Sequence, residues 1–285
     1  MDAVVEILIL GFLISSLYAL SAVGFTMIFG VAGVLNLGHG ALVLLGGYAA
    51  VWASSILGLN IFVATLVAVL GVSLIAPLVY AVFVRPIVDR PVIVFLATLL
   101  LAVVAEQAMI LTFGLKPRAL APLIPGDFMV WGIKVSWNRL AASLLAFVSI
   151  LGLWRFINHT RSGKAISALS MERLGAALVG INEYRIQLIV WAVSGALAAI
   201  AGVFLTSFLG ISPFSGRVPL VISFSTVVLG GLGSVPGSLW AAYIIGYAET
   251  ITTQFVPEAR GLPSLVILLL ILIFRPQGLF GREAA

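Results

Sequence analysis

The chain has 285 residues, of which 62% are hydrophobic and only 9% are charged. A soluble domain carries about 25% charged residues, so this composition excludes a protein that is covered by water on all sides. It favours an integral membrane protein built from apolar helices of about 20 residues, the length that crosses a hydrocarbon core of ~30 Å. Basic loops at one membrane face explain the formal charge of +5, and nucleic acid is not an expected partner.

Nine apolar segments follow one another along the chain, and each of them predicts a helix. They cover approximately residues 4–29, 41–57, 61–84, 92–113, 139–157, 186–209, 218–234, 236–253 and 262–275. The second, seventh and eighth segments are short or interrupted by glycine, so eight spans remain an alternative to nine. We therefore predict an all-α, polytopic bundle of eight or nine transmembrane helices that forms a single domain over residues 1–285.

Lysine and arginine residues near the segment ends predict the orientation, because these residues concentrate in cytoplasmic loops. Residues 85–91, residues 158–185 and the C-terminal tail are basic, and all three are cytoplasmic if nine spans connect an external N-terminus to an internal C-terminus. Loop 114–138 then lies outside, although it also contains basic residues. This loop is the one conflict with the predicted orientation.

Glycine clusters interrupt the apolar pattern at similar places in the two halves of the chain. The first begins at Gly30 and Gly33, and the second contains Gly230, Gly231 and Gly233. Paired broken helices mark the pathway in inverted-repeat transporters, so the sequence predicts glycine-broken helices in both halves. The alternative is that these glycines serve close helix packing.

The turn after the first segment contains polar residues among its glycines. Asn36 and His39 stand beside Gly38 and Gly40, and we predict that these four residues line the substrate pathway or hold the broken-helix geometry. The alternative for His39 is a neutral imidazole bonded to a backbone carbonyl, since irregular backbone at membrane depth must find partners.

Further polar candidates lie inside other apolar segments. Glu106 and Gln107 occur in the fourth segment and Glu249 late in the eighth, and ionisable groups at membrane depth are costly. The alternative is a position near the membrane interface, where a side chain reaches the headgroups. His39 and His159 are far apart and cysteine is absent, so no metal site is expected. No nucleophile–base arrangement is evident either, and the chain is not expected to be an enzyme.

The basic segment 158–185 contains a helix-forming stretch with a mixed face over residues 160–182. Ala165, Ala168, Leu169, Glu172, Ala176 and Val179 fall near one face at spacings of three and four. Small residues on that face would allow a partner helix or groove to approach closely. The alternative is an amphipathic helix that rests on the bilayer surface.

Five motifs occur in a fixed order along the chain. They are Asn36-Leu-Gly-His39-Gly40, then Thr160-x-x-Gly163-x-Ala165 with Ala176-Ala177-Leu178-x-Gly180-Ile181-Asn182, then Ser194-Gly195-Ala196-Leu197-Ala198, then Val228-Leu-Gly-Gly-x-Gly233-Ser234-x-Pro236-Gly237, and finally Arg275-Pro276-x-Gly278. With these motifs the chain resembles, over essentially its whole length, the branched-chain amino-acid permeases of ABC importers, a group that also contains urea and amide permeases. It departs from the family pattern at Ser167-Ala168, where an Arg-Ala pair is common.

The resemblance implies a transmembrane permease subunit that imports branched-chain or related amino acids across the inner membrane of a bacterium or archaeon. ATP and Mg would bind to separate cytoplasmic ATPase subunits, and this chain would bind no cofactor. A second homologous permease, an extracytoplasmic solute-binding protein, the small-molecule substrate and the lipid bilayer are the other implied partners. The residues implied to couple to the ATPase are Thr160, Gly163, Ala165, Ala168, Glu172, Ala176, Ala177 and Gly180.

The alternative function is an autonomous channel or an ion-coupled carrier for a small polar solute such as urea or an amide. Residues 160–182 discriminate between the two functions, because a channel does not need a cytoplasmic docking helix. A Walker-type phosphate loop is absent from the sequence, so energy from ATP would have to come through a partner.

Overall fold

The computed structural model of the protein describes residues 2–280. Within that range the chain is mostly helical and contains one β-hairpin. The helices are α1 (Asp2–Ala32), α2 (His39–Ser55), α3 (Ile61–Val79), α4 (Pro91–Phe113), α5 (Trp137–His159), α6 (Arg161–Met171), α7 (Arg173–Leu178), α8 (Glu183–Leu209), α9 (Arg217–Gly230), α10 (Val235–Phe255) and α11 (Leu262–Phe274). A π-helical turn, Tyr80–Val84, continues α3.

Each of the nine apolar segments forms a helix, which confirms a polytopic helical membrane protein. Helices α1, α3, α4, α5 and α8 are long and apolar enough to cross a membrane. Helices α2, α9 and α11 have 17, 14 and 13 residues, fewer than the roughly 20 that a full crossing needs. The number of spans, eight or nine, therefore stays a prediction.

Two long helices form the centre of the bundle. The apolar windows of α1 and α8 are 67% buried, whereas those of α3, α4 and α5 are between 17% and 22% buried. Helix α1 packs against α5, α8, α9 and α10, and α8 packs against α2 and α3. The outer helices expose continuous apolar faces, for example at Leu74 and Leu100. Such faces suit lipid, because their backbone groups are satisfied within the helix.

A β-hairpin that the sequence analysis did not predict lies between α4 and α5. Strands β1 (Asp127–Val130) and β2 (Ile133–Ser136) pair in antiparallel register. The turn residues Trp131 and Gly132 have φ angles of 49° and 81°, as two-residue hairpin turns require. Ile133 and Val135 pack against Leu13 of α1. We call this end of the bundle the hairpin end, and the opposite end, which carries α6 and α7, the coupling end.

Candidate functional site

Helix α2 begins beside the middle of α1 rather than beside its end. The side chain of His39, the first residue of α2, is completely buried, and its Nε2 lies 2.9 Å from the carbonyl oxygen of Ser21. With a rise of 1.5 Å per residue, Ser21 lies about 16 Å from the end of α1 at Ala32. The connection 33–38 therefore turns at Gly33, where φ is +65°, and runs back into the bundle. His39 thus lies at a backbone carbonyl, but this carbonyl belongs to the middle of α1 and not to backbone that the glycines free from helix hydrogen bonds.

Helix α9 begins at the same level and meets α2 there. A Cβ atom on Gly216 would lie 2.6 Å from the carbonyl oxygen of Gly40, so the two backbones touch. The hydroxyl groups of Ser223 in α9 and Ser21 in α1 are 2.8 Å apart. From this point the two short helices run in opposite directions. We call the region formed by residues 36–40 and 216–220 the helix junction.

At the helix junction the N-terminal residues of the two short helices meet. The α2 helix reaches the hairpin end, where a Cβ on Gly47 would meet Ile211. The α9 helix reaches the coupling end, where Gly233 lies 3.4 Å from the position of a Cβ on Gly30. Helix N-termini carry a positive partial charge from unpaired amide groups. Two such termini therefore raise the local electrostatic potential at one place inside the bundle.

The structure brings one set of the predicted pathway residues together and separates the other set from it. Asn36 is 2% exposed, and its Oδ1 accepts a hydrogen bond of 3.0 Å from the amide of Gly38. These two residues join His39 and Gly40 at the helix junction. The remaining three, Gly230, Gly231 and Gly233, form the α9–α10 turn at the coupling end.

The α9–α10 turn is a tight corner between two packed helices. Gly231 and Gly233 have φ angles of 93° and 86°, which favour glycine. A Cβ on Gly230 would lie 2.5 Å from the amide nitrogen of Ser238, so α9 and α10 touch through their backbones. These glycines fit the close-packing role.

Glu106 binds an arginine that the sequence analysis missed. Glu106 is 8% exposed, and its two carboxylate oxygens accept hydrogen bonds of 2.8 and 2.7 Å from Nε and Nη2 of Arg217. Arg217 is the first residue of α9, at the edge of the seventh apolar segment. Gln107, which follows Glu106 in α4, is exposed on the outer surface of the bundle.

Glu249 has a capping role near the hairpin end. Its side chain is 2% exposed and accepts hydrogen bonds from the amides of Gly261 and Ser264, at 2.9 and 3.1 Å, and from the hydroxyl of Ser264. These donors lie at the start of α11, so the carboxylate satisfies amide groups that the helix leaves unpaired. Within residues 2–280 no group of three or more His, Cys, Asp or Glu side chains is arranged to hold a metal ion.

The segment 160–182 forms two short helices that are separated by side-chain caps. Thr160 accepts a hydrogen bond of 2.9 Å from the amide of Gly163 and starts α6. Glu172 accepts one of 3.1 Å from the amide of Leu174 and starts α7. Asn182 accepts one of 3.1 Å from Arg185 and starts α8. Each cap fixes a change of direction, because a capped residue adopts a non-helical conformation.

The small residues of this segment face the protein's own core, which differs from the surface that the sequence predicts for a partner. Gly163 and Ala176 are buried, and a Cβ on Gly163 would lie 2.5 Å from Cα of Ile157 in α5. Ala165 and Ala168 are half-buried against the core. Of the residues that periodicity assigns to one face, Leu169 also packs inward, whereas Glu172 and Val179 are exposed, so the predicted face does not stay on one side of the folded segment.

Large apolar side chains occupy the outer surface of the same segment instead. Met171, Leu174, Leu178 and Val179 are between 70% and 81% exposed. We call these four residues the apolar tip. Glu172, Ala177 and Gly180 are also exposed beside it. An exposed cluster of large apolar residues is typical of a surface that binds another protein.

Arg173 connects α7 to the end of α1. Its Nη2 donates a hydrogen bond of 3.3 Å to the carbonyl of Val31 and a second one to the carbonyl of Ala32. Its Nη1 lies 3.8 Å from Oε1 of Glu183 in α8. The carbonyls at a helix C-terminus carry a negative partial charge, which favours a guanidinium there. The segment with the apolar tip is thus attached to the residues that lead into the helix junction.

These features define a multi-pass α-helical membrane protein in which two short helices, α2 and α9, meet inside the bundle. A family model described as branched-chain amino acid transport system / permease component matches residues 7–274. The chain therefore belongs to this family of branched-chain amino acid transport permeases.

Two curated relatives are similar over nearly their whole length. The high-affinity branched-chain amino acid transport system permease protein BraD of Pseudomonas aeruginosa is 29% identical, over 96% of this chain and 95% of its own length. The corresponding protein LivH of Salmonella typhimurium is also 29% identical, over 95% of this chain and 94% of its own. Among solved structures, PsaBC from Streptococcus pneumoniae in complex with Fab contains a chain with a TM-score of 0.53 and 13% identity, covering 95% of this chain and 92% of that one. The last similarity concerns the fold.

Proposed function

We propose that this chain is the permease subunit of an ATP-binding-cassette importer that carries branched-chain or related amino acids across the inner membrane of a bacterium or archaeon. The observation that carries the proposal is the apolar tip, a cluster of exposed large apolar side chains on the α6–α7 segment, in a chain of this permease family. ATP and Mg bind to cytoplasmic ATPase subunits in this proposal, and the permease itself is not an enzyme and binds no cofactor.

The coupling segment, residues 158–185, docks into the ATPase subunit through the apolar tip. Glu172, Ala177 and Gly180 border the contact. Thr160, Gly163, Ala165, Ala168 and Ala176 hold the segment against the permease core. Docking would remove large apolar side chains from water, the usual source of affinity at the centre of an interface.

Arg173 transmits movement of the docked segment to the helix junction. Its hydrogen bonds to the last turn of α1 connect α7 to residues 33–38, which lead directly to Asn36 and His39. When two ATPase subunits close, α6 and α7 move as a rigid body and change the position of α2 relative to α9. Rigid-body motion about a fixed pathway switches access without chemistry in the permease.

The proposed assembly has one permease domain over residues 1–285, with the hairpin end outside the cell and the coupling end in the cytoplasm. Eight or nine helices cross the bilayer, and α2 and α9 are the two halves of a broken pathway. An extracytoplasmic solute-binding protein delivers substrate at the hairpin end. A second homologous permease completes the membrane part, because importers of this kind alternate access between two permease subunits.

The first experiment is gentle detergent purification of the tagged protein from its own host, followed by mass spectrometry. We expect an ATPase subunit and a second permease in amounts comparable with this chain. Leu178→Glu should abolish recovery of the ATPase, because it puts a charge into the apolar tip. Lys164→Glu alters the charge of the same segment away from the tip and serves as the control. Recovery of the chain alone, with flux in liposomes that needs no ATP, would favour the channel or carrier.

A further inference from the structure

Arg260 lies at the wall of a cavity near the centre of the bundle. The cavity has a volume of about 250 Å³, and apolar side chains from α2, α8 and α9 form most of its wall. Leu44, Leu205, Ile211 and Val218 belong to this apolar part, and Arg260 and Tyr18 form its polar side. Small-ligand sites combine an apolar lining with a few convergent polar groups in this way.

The guanidinium of Arg260 has no carboxylate partner within residues 2–280. Its one hydrogen bond goes from Nη2 to the hydroxyl oxygen of Tyr18, at 3.2 Å. The buried carboxylate of Glu249 is already bonded to the amides of Gly261 and Ser264, and the exposed Glu258 makes no ion pair among the described residues. A guanidinium has five N–H donors, so most of those on Arg260 remain free to bind an anion.

Thr206 supplies a second polar group at the same cavity. Its side chain is 3% exposed and lines the cavity together with Arg260 and Tyr18. A hydroxyl can donate one hydrogen bond and accept others, so Thr206 offers a ligand a further polar contact.

The Arg260 cavity shares wall residues with neighbouring cavities on both sides. Toward the hairpin end, Leu209 and Arg260 also line a cavity that contains Arg139. Arg139 in turn lines the outermost cavity of about 480 Å³ beside the hairpin. In the opposite direction, Leu44 also lines a cavity at the helix junction that contains Glu106 and Arg217. The row therefore leads from the hairpin to the junction.

We propose that the Arg260 cavity binds the carboxylate of an amphipathic substrate on its way from the hairpin end to the helix junction. A guanidinium binds a carboxylate through two parallel hydrogen bonds, and the leucine and valine side chains accommodate an aliphatic group. An aliphatic α-amino acid has both parts, whereas urea and simple amides lack the carboxylate. This inference rests on the proposed function and narrows its substrate class.

The test uses the absence of cysteine from the chain. Val218→Cys places one thiol in the cavity wall, and Ala119→Cys places one on an exposed loop at the hairpin end as the control. The purified protein, with the partners that accompany it, is reacted with a small thiol reagent in lipid nanodiscs. Labelling of this chain is measured with increasing leucine, with isocaproate, which lacks the amino group, and with isoamylamine, which lacks the carboxylate.

We expect leucine and isocaproate to slow labelling at Val218→Cys, and isoamylamine to have no effect. Arg260→Gln should raise the leucine concentration for half-protection by about tenfold or more, the effect of losing one charged hydrogen-bond partner. Arg260→Lys keeps the charge but cannot make two parallel hydrogen bonds. Its leucine concentration for half-protection should therefore lie between that of Val218→Cys alone and that of Arg260→Gln. Tyr18→Phe removes the hydrogen bond of Arg260 but no charge, and it should retain protection.

Equal protection by isoamylamine and leucine, or unchanged protection in Arg260→Gln, would overturn the inference. The absence of protection by any ligand would also overturn it, while ATP-driven leucine uptake by the same purified protein in proteoliposomes would leave the proposed function intact. Conversely, carboxylate-dependent protection with uptake that needs no ATP would contradict the proposed importer and support the binding site.

Discussion

The two glycine clusters look alike in sequence, yet they build different structures. The first leads the chain back into the bundle, where Gly40 touches Gly216 beside Asn36, His39 and the Glu106–Arg217 pair. The second makes the tight α9–α10 corner, where Gly230 touches Gly237. None of the ion pairs among residues 2–280 lies at this corner. A glycine cluster therefore indicates close backbone contact, and the polar groups around it distinguish a functional junction from a packing corner.

The largest effect is expected at the helix junction itself. Gly40→Val should abolish transport and lower the free energy of unfolding by about 3 kcal/mol, because the new side chain would collide with the backbone of Gly216 and with Leu220. Gly71→Val in α3 is the matched control, since no atom lies within 4 Å of its new Cβ. Thermal unfolding and uptake measure both effects, and normal uptake by Gly40→Val would refute the junction as part of the pathway.

The ion pair at the junction should give the next largest effect. Arg217→Gln leaves the mostly buried carboxylate of Glu106 without its charged partner, and we expect a loss of about 2 kcal/mol in stability. The double variant Glu106→Gln with Arg217→Gln removes the unpaired charge, so it should recover most of this loss. A double-mutant cycle from unfolding midpoints checks the coupling. If the effects of the two substitutions on the free energy of unfolding are additive, the ion pair has no coupling free energy.

The connection between the coupling end and the junction predicts a different kind of defect. Arg173→Ala should leave ATP hydrolysis near its normal rate but lower the substrate transported per ATP by about tenfold, since it removes the hydrogen bonds to the end of α1. Arg185→Ala, an exposed arginine in the same segment, should not change this ratio. A parallel fall in hydrolysis and transport would instead indicate lost docking.

The smallest effect is expected at the second glycine cluster. Gly233→Ala must hold a side chain at a φ of +86°, which costs about 1 kcal/mol. The nearest atom to the new Cβ is Cα of Gly30 at 3.4 Å, so packing should tolerate it. Stability should fall slightly, while the substrate transported per ATP stays unchanged. A transport defect larger than that of Arg173→Ala would erase the distinction between the two clusters.

The helices of the fold could be predicted from sequence because long apolar runs have few alternatives in a membrane. Each of the nine segments is a helix within a few residues of its predicted ends. The hairpin 127–136 could not be predicted in this way, because its short strands lie in a polar loop and owe their packing to Leu13. The sequence also could not predict that α2 begins beside the middle of α1, because this position depends on the tertiary contact of His39 with Ser21.

The candidate site was predictable only where its residues are close in sequence. Asn36, Gly38, His39 and Gly40 share one motif, and the structure keeps them together. Arg217 was missed because its partner, Glu106, stands 111 positions away and only tertiary structure joins them. In the coupling segment, periodicity treated residues 160–182 as one helix and put Glu172 and Val179 on the same face as Ala176. The chain breaks at Glu172 into two helices, so Ala176 packs inward while Glu172 and Val179 are exposed.

The central claim is that this permease works as part of an ATP-driven importer. The most direct measurement is leucine uptake into proteoliposomes that contain the purified assembly and its solute-binding protein, with and without ATP in the compartment that the coupling end faces. We expect leucine to accumulate against its gradient only when ATP is present, and we expect this accumulation to disappear in Leu178→Glu. Equilibrating flux that is independent of ATP and unaffected by Leu178→Glu would contradict it.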